Sequence, residues 1–334
     1  MPLSTDSAPG GRAPAPYPET PAERDRWIVE RRGTRDPVDP SRPVGAFVEE
    51  ERTERGEIEP VATVFLANRE CPWRCLMCDL WKNTTAETVS PGSIPEQIRG
   101  ALRALPPVRR LKLYNAGSFF DPRAVPSGDL GEIAAAVEAC DRVIVESHPA
   151  LVAGNARRFR DRLAGDLEVA MGLETVHPVA LPLLNKRMGL DEFRRAADGL
   201  ARNGIAMRAF VLLGLPFVPR EEAGLWAVRS TEFAFDAGAT AVSIIPTRAG
   251  NGALDWLAAR GEFVPPTLGA LERAAAEGIA AARGRGRVFA DLWNLESLCR
   301  CVSCFPARAA RLAAMNRDQR VPPPVACAKC GAGD

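Results

Sequence analysis

The stretch that decides the fold is Val61-Ala-Thr-Val-Phe-Leu-Ala67, followed after three residues by Cys71-Pro-Trp-Arg-Cys75-Leu-Met-Cys78. The first part is rich in β-branched and apolar residues and predicts a buried strand. The second part places three thiols in one short loop with the spacing C-x3-C-x2-C. In parallel α/β proteins the functional groups collect in the loops that follow the strands, so this loop is the first candidate site.

Further β-rich segments follow along the chain, and helical patterns separate them. The predicted strands are 61–67, 111–114, 143–146, 168–174, 209–213 and 241–245, and the predicted helices cover about 94–105, 130–137, 155–164, 193–200 and 221–237. Six strand–helix repeats predict an α/β fold, a partial (β/α)6 TIM-like barrel with right-handed connections. A seventh strand is predicted at 288–293.

Composition divides the chain into four parts. Residues 1–22 are rich in Pro, Gly, Ala and Ser and predict a flexible tail. Residues 23–58 predict an N-terminal extension that begins with a short helix over 23–32. Residues 59–284 form the predicted barrel, and 285–334 a small cysteine-rich appendage with a helix over 307–315.

The bulk composition narrows the class of protein. With 46% hydrophobic and 25% charged residues and a net charge of +1, the chain has an ordinary globular balance and no overall charge that favours nucleic acid or membrane. The longest apolar stretch, 209–218, is too short to cross a bilayer, and the N-terminus does not resemble a secretion signal. Nine unevenly clustered cysteines indicate thiolate ligands in a reducing cytoplasm.

The three loop cysteines suit an iron–sulfur cluster with an incomplete protein shell. Three thiolates can bind three irons of a [4Fe-4S] cube, whereas a complete shell needs four. An open iron can be chelated by the amino and carboxylate groups of S-adenosylmethionine (SAM). Two other interpretations are a zinc site, which prefers four ligands, and three cysteines that merely pack in a core.

The C-x3-C-x2-C loop after the first strand of a βα series resembles the signature of the radical SAM superfamily. Across about residues 37–250 the chain resembles the branch of the archaeosine synthase radical SAM subunit and, more distantly, the Elongator catalytic subunit. The segments that carry this resemblance are 68–81, Asn115-Ala-Gly-Ser-Phe-Phe-Asp121, Val145-Glu-Ser-His-Pro149, Gly172-Leu-Glu-Thr175 and Asn185-Lys186. The resemblance implies a barrel of the radical SAM type that cleaves SAM reductively, forms a 5'-deoxyadenosyl radical and abstracts hydrogen from a substrate.

The resemblance also implies roles for single residues. Cys71, Cys75 and Cys78 would hold the catalytic cluster, and Trp73 and Met77 would shield it. Where the family has Gly-Gly-Glu for the amino group of SAM, this chain has Asn115, Ala116, Gly117 and Ser118, so the acidic contact is missing. The alternative for this segment is a turn without a ligand.

Other expected SAM contacts also follow strands. Glu146 and Glu174 end the third and fourth predicted strands and could accept from ribose hydroxyls, or instead form salt bridges with Lys186 or Arg208. Leu215 and Pro216 follow the fifth strand, where family members contact adenine. The alternative is that these residues only terminate the strand.

The appendage carries two C-x2-C pairs about twenty residues apart. Cys301, Cys304, Cys327 and Cys330 match a structural zinc ribbon, with Cys299 as a substitute ligand. An auxiliary iron–sulfur cluster and an appendage without metal are the alternatives.

The resemblance implies a modified tRNA nucleoside as substrate, with carbon–nitrogen bond cleavage, and a reductant of the flavodoxin or ferredoxin type. A small metabolite or natural-product intermediate is the alternative substrate. A non-catalytic iron–sulfur or zinc protein for RNA binding or electron transfer is the alternative of another class.

Overall fold

The computed structural model describes residues 16–331, which form one sheet of eight strands together with eleven α-helices. The strands are β1 (Gly45–Arg52), β2 (Ile58–Leu66), β3 (Arg110–Asn115), β4 (Arg142–Glu146), β5 (Asp166–Glu174), β6 (Ala206–Leu213), β7 (Ala241–Pro246) and β8 (Arg287–Ala290). The helices are α1 (Pro21–Glu30), α2 (Ser93–Ala104), α3 (Leu130–Ala136), α4 (Pro149–Val152), α5 (Asn155–Arg160), α6 (Ala180–Leu183), α7 (Leu190–Arg202), α8 (Ala223–Asp236), α9 (Ala253–Ala259), α10 (Leu268–Ala282) and α11 (Phe305–Asp318).

Each strand pairs with its neighbour in sequence, so the spatial order runs from β1 to β8. β1 is antiparallel to β2, and all later pairs are parallel. The prediction of an α/β partial barrel with a cysteine-rich appendage is confirmed. The six predicted strands correspond to β2–β7, the predicted seventh strand is β8, and β1 is an addition that the sequence pattern did not reveal.

The outer face of the sheet carries the main hydrophobic core. Alternate residues of each strand point to this face and are buried against the helices, among them Val64, Leu113, Val145, Val169 and Val211. Helices that cover the sheet present apolar residues to it. In α7, for example, the spacing of Phe193, Ala196, Ala197 and Leu200 puts four buried residues on one side.

The inner face is charged at the amino-terminal end of the barrel. The guanidinium of Arg208 lies 2.7 Å from the Glu168 carboxylate and 2.6 Å from that of Glu51, and the Lys112 ammonium lies 2.7 Å from Glu51. Arg287 lies 3.8 Å from Glu168. Because these side chains come from β1, β3, β5, β6 and β8, they can meet only if the sheet is strongly curved.

Above this charged layer the inner face becomes aromatic and opens to solvent. The rings of Phe65, Tyr114 and Phe210 follow one another with centroids 6.4 and 5.9 Å apart. They are only partly buried, as are Leu212 and Ser243 nearer the strand ends. The barrel interior is therefore accessible at the carboxyl ends of the strands, where a ligand site is expected.

A second, smaller core joins the N-terminal extension to the barrel. Trp27 and Ile28 of α1 pack against Leu76 of the cysteine loop, together with Leu254 and Leu257 of α9. Of the predicted flexible tail, residues 1–15 lie outside the described residues. Tyr17 donates from its hydroxyl to the Leu183 carbonyl at 2.6 Å, so the chain contacts the barrel from this point on.

None of the helices in residues 16–331 is long and apolar enough to cross a membrane.

Candidate active site

The cysteine loop follows β2 and is held from two sides. The Leu76 amide donates to the Leu184 carbonyl at 2.9 Å, and the Asn185 side chain donates to the Arg74 carbonyl at 2.9 Å. From the other side, the buried amide of Asn251 donates to the Leu76 carbonyl at 2.7 Å and to the Cys78 carbonyl at 3.3 Å. These bonds fix the backbone between the second and third cysteines.

Glu70, next to the first cysteine, fastens the loop to the N-terminal extension. Its carboxylate lies 2.6 Å from Arg32, 2.6 Å from Arg35 and 3.1 Å from Arg74. The Glu70 side chain is 7% exposed, so this contact is shielded from water and a mobile loop would disrupt it. The arginines beside the loop are thereby paired with protein carboxylate.

The residues Cys71, Cys75 and Cys78 are partly buried. Burial raises the pKa of Cys71, raises that of Cys75 to about 12 and raises that of Cys78 well above its ordinary value. Thiols of this kind stay protonated unless a cation replaces the proton, which is how cysteine binds metal.

The loop thiols and the tail thiols differ in how closely they approach one another. The three loop thiols do not form a group compact enough for one ion, whereas the tail cysteines in the described part of the chain do. Cys140 precedes β4 and lies at the opposite end of the sheet, and the other five cysteines belong to the tail. The donor set thus suits a [4Fe-4S] cluster with three protein ligands and one open iron.

A buried ion pair lies at the carboxyl end of β5. The Lys186 ammonium pairs with the Glu174 carboxylate, and both side chains are 9% exposed. Burial alone would lower the pKa of Lys186, but the charges of Glu174 and of the neighbouring acids outweigh it and raise that pKa. Of the two sequence-based alternatives for Glu174, the pair with Lys186 is present, whereas Arg208 lies in the charged layer at the other end of the barrel.

Gly172 makes room for this ion pair. A β-carbon at position 172 would lie 2.1 Å from both the Glu174 Oε1 and the Lys186 Nζ atoms. The register shifts between Gly172 and Glu174, and Glu174 has a φ of 64°. The strand end is therefore bent so that the Glu174 side chain turns over the glycine.

Glu146 ends β4 beside this pair. Burial raises the pKa of Glu146 to about 8, the charge of Lys186 opposes the rise, and that of Glu174 adds to it. At neutral pH its carboxyl is therefore largely protonated and can donate one hydrogen bond as well as accept others.

The segment Asn115-Ala116-Gly117-Ser118 continues from the end of β3. A β-carbon on Gly117 would lie 2.7 Å from the Asn68 side-chain nitrogen and 3.0 Å from the Arg69 carbonyl oxygen, so glycine lets this segment approach the cysteine loop closely. The Ser118 hydroxyl accepts from the His148 amide at 2.9 Å. Ala116 and Gly117 are partly exposed, which leaves their backbone groups accessible.

The remaining predicted contacts occupy different surroundings. Trp73 stacks on His148, whereas Met77 packs against the second core. Leu215 and Pro216 are buried after β6, and Leu215 lines a groove beside the start of α8 and α10. No sequence pattern indicates a role for Glu70 or Asn251. A buried asparagine that bonds a loop 175 residues earlier leaves no local pattern to detect.

The four tail cysteines meet at one point. The sulfurs of Cys301 and Cys327 are 3.9 Å apart, those of Cys304 and Cys330 are 3.7 Å apart, and all four lie within 4.8 Å of one another. The Cys299 thiol instead donates to the Cys301 carbonyl at 3.2 Å and lies outside this group. The arrangement can hold one metal ion.

No protein-family model matches the chain. An uncharacterised protein of Methanocaldococcus jannaschii is 22% identical over 262 residues, which cover 73% of this chain and 70% of that protein.

Three solved structures resemble parts of the chain, and two of them, the oxidase and the methyltransferase below, are described as radical SAM enzymes. Coproporphyrinogen III oxidase of Escherichia coli is 12% identical with a TM-score of 0.46, covering 79% of this chain and 56% of its own. Elp3 of Methanocaldococcus infernus is 14% identical with a TM-score of 0.45, covering 55% and 49%. The methyltransferase TsrM of Kitasatospora setae is 12% identical with a TM-score of 0.42, covering 58% and 37%. Each match spans less than two thirds of the solved chain, and such distant likeness assigns no activity.

Proposed function

We propose that this protein is a radical SAM enzyme. The observation that carries the proposal is the set of three partly buried thiols, Cys71, Cys75 and Cys78, at the carboxyl ends of the strands of a partial parallel barrel, with no fourth cysteine among them. A zinc site would need a fourth ligand, and cysteines that merely pack would not need a loop held at so many points.

The three thiolates would hold a [4Fe-4S] cluster. When bound, the cluster supplies the electron that cleaves SAM to methionine and a 5'-deoxyadenosyl radical. The other residues position the cofactor and exclude water. Glu146 offers a protonated carboxyl to ribose hydroxyls, the segment Asn115–Ser118 offers backbone groups to the amino group, and Trp73 covers the loop.

Lys186 is an additional candidate for contact with SAM or substrate. Its ammonium is held at the barrel mouth by Glu174, and both Cys75 and Glu146 are close enough to influence its pKa. An ammonium has three donors, so Lys186 can keep its pair with Glu174 and still donate a hydrogen bond to a ligand at the barrel mouth. Leu215 and Pro216 would contact adenine from the end of β6.

For the substrate we propose a modified tRNA nucleoside, with carbon–nitrogen bond cleavage as the reaction, on the resemblance of the segments around Asn68, Asn115 and Gly172 to the archaeosine synthase branch. A small metabolite is the second candidate. It is favoured by the pairing of Arg32, Arg35 and Arg74 with Glu70, because cations already paired with protein carboxylate are less available to phosphates. A flavodoxin- or ferredoxin-type protein would supply the electron.

For the tail metal we propose zinc. A tetrahedral ion with Zn–S bonds of about 2.3 Å separates its sulfurs by about 3.8 Å. The separations of 3.9 and 3.7 Å match this edge length. The thiolates of a cubic cluster bind different irons and lie further apart, so the geometry disfavours an auxiliary [4Fe-4S] cluster.

The test is SAM cleavage by anaerobically reconstituted protein with dithionite, followed by mass spectrometry for 5'-deoxyadenosine and methionine. We expect product from the wild type and from Cys140→Ala, and none from Cys75→Ala. A fully loaded wild-type cluster that yields no 5'-deoxyadenosine, with tRNA or cell extract present, would contradict the enzyme and favour the non-catalytic iron–sulfur protein. Retention on heparin that weakens steeply with salt would favour tRNA over a metabolite.

A further inference from the structure

The last strand of the sheet has an unusual partner. The amides of Arg287, at the start of β8, and of Asp291, directly after its end, donate to the carbonyls of Thr240 and Ile244, so these amides face β7. Val288 and Ala290 lie between them in sequence, so their backbone groups point to the free edge. An unpaired edge exposes a row of donors and acceptors and is a site of aggregation.

Two side-chain amides at the carboxyl end of α11 occupy this edge, one from Asn316 in the helix and one from Gln319 directly after it. The Gln319 side chain accepts from the Val288 amide at 2.7 Å and donates to the Val288 carbonyl at 2.9 Å. The Asn316 side chain makes the same two bonds with Ala290, both at 2.8 Å. Two primary amides on successive turns thus make the hydrogen bonds that a ninth strand would make.

The same helix also contacts the elements on both sides of the gap between the first and last strands. Arg308 and Arg311 lie 2.7 and 3.0 Å from Glu272 of α10. On the other side, Arg52 of β1 donates to the Arg317 carbonyl at 3.1 Å. α11 therefore lies across the side of the barrel that the sheet leaves open.

The four tail cysteines are joined to this helix at its beginning. Cys304 immediately precedes α11, and Cys301 lies three residues earlier. Arg311, in the middle of α11, donates to the carbonyls of Pro322 and Pro323 at 3.1 and 2.9 Å. The chain that follows the helix therefore runs back along it. This return brings Cys327 and Cys330 to the first pair, and a metal ion there would close a loop that contains all of α11.

We propose that one zinc ion bound by Cys301, Cys304, Cys327 and Cys330 holds α11 in place as the side wall of the barrel, so that Asn316 and Gln319 stay paired with the edge of β8. A metal site of this kind stabilises the fold because its ligands come together only in the folded chain. This inference rests on the zinc proposed for the tail and does not involve the cluster or SAM. A failed test of one proposal therefore leaves the other unaffected.

The test measures zinc by mass spectrometry and backbone protection by hydrogen exchange in the full chain. For the wild type and for the control Cys299→Ser, we expect one zinc per chain and slow exchange at Val288 and Ala290. For Cys327→Ser we expect no zinc and exchange at least ten times faster at these two amides, with little change at Val242 in β7.

Two further measurements keep the result interpretable. The variant Asn316→Leu/Gln319→Leu should keep its zinc yet lose protection at Val288 and Ala290, because only the amides are removed. If Cys327→Ser does not fold, removal of zinc from the wild type with a chelator should give the same faster exchange. Protection that persists after the zinc has gone would overturn the proposal, as would iron instead of zinc at the four tail cysteines.

Discussion

Trp73 lies flat on the imidazole of His148, with the ring centroids 3.7 Å apart and the planes 9° apart. The ring is held at both nitrogens: its Nδ1 accepts from the Ala150 amide at 3.2 Å, and its Nε2 lies 3.0 Å from the Lys186 carbonyl. An Nδ1 that accepts leaves the proton on Nε2, so the imidazole is neutral and donates to that carbonyl. His148 follows the end of β4. It therefore connects that strand end to the cysteine loop through Trp73 and to the backbone of Lys186.

Replacement of His148 should loosen the cysteine loop. We expect His148→Ala to lower the free energy of unfolding by about 2 kcal/mol, from a lost stacking contact and buried hydrogen bonds. Iron retention after reconstitution should fall with it. His177→Ala is the matched control, because His177 caps α6 and should leave iron retention unchanged. Equal iron loss in both variants would argue against the role of the stack.

His148 should also make stability depend on pH. Burial and then the charge of Lys186 lower the pKa of His148 to about 3, against an ordinary value of 6.5. Between these values the unfolded chain binds the proton and the folded chain does not. Stability should therefore fall as the pH drops below 6.5, by up to about 1.4 kcal/mol per pH unit. Denaturant unfolding of metal-free wild type and His148→Gln from pH 5 to 8 measures this, and parallel curves would refute it.

Gly172→Ala should displace the ion pair of Lys186 and Glu174, since the added methyl group would lie 2.1 Å from both charged atoms. We expect a loss of about 1–3 kcal/mol in stability from overpacking, together with weaker SAM binding by calorimetry. Gly131→Ala in α3 is the control, because nothing lies within 4 Å of its added carbon. Helical alanine there should stabilise by about 0.5–1 kcal/mol. Unaltered SAM affinity in Gly172→Ala would show that the ion pair does not contribute to SAM binding.

Asn251 should affect the cluster although it carries no ligand atom for it. Asn251→Ala removes both hydrogen bonds to the backbone between the second and third cysteines. Each buried carbonyl left without a donor should lower the free energy of unfolding by about 1–3 kcal/mol. We also expect faster loss of iron in air. Asn203→Ala, which removes only an exposed bond at the end of α7, is the comparison. Iron loss at the wild-type rate would show that the loop does not need this anchor.

The charged layer at the amino end of the barrel should be sensitive to acid. Burial alone would raise the pKa of Glu51, but the charges of Arg208 and Lys112 outweigh it and hold that pKa well below its usual range. The stability from this carboxylate is therefore complete above about pH 4.5 and is lost as the pH falls further. Arg208→Met, which leaves Glu51 and Glu168 without their main partner, should cost about 3–5 kcal/mol. Exposed Arg195→Met should cost little in the same unfolding assay.

Much of the fold could be predicted because the outer faces of β2–β7 are apolar and the helices between them carry apolar stripes. β1 escaped prediction for a physical reason. Glu49 and Glu51 are charged and pair with Lys112 of the barrel interior, so the sequence pattern of this strand resembles that of a solvated segment. The usual rule that charge points to water fails where opposite charges from several strands meet.

The candidate site also has one part that the sequence predicts and one part that it does not. A fixed spacing such as that of Cys71, Cys75 and Cys78 is visible in one sequence, and their role as cluster ligands stays a prediction. The supports of the loop are different in kind. Glu70 and Asn251 act through contacts with residues distant along the chain, and only folding brings these partners together. The pair of Glu174 with Lys186, by contrast, is one of the alternatives that the sequence offers.

The strict order of the strands from β1 to β8 has a consequence for synthesis of the chain. Each new strand can add to the one made just before it, so the sheet can grow as the chain leaves the ribosome. That growth leaves the edge of β8 open until α11 and both pairs of tail cysteines have emerged. During this interval the nascent chain exposes the edge of β8 that Asn316 and Gln319 cover in the folded protein. If zinc holds α11 as proposed, a shortage of zinc would prolong this exposure.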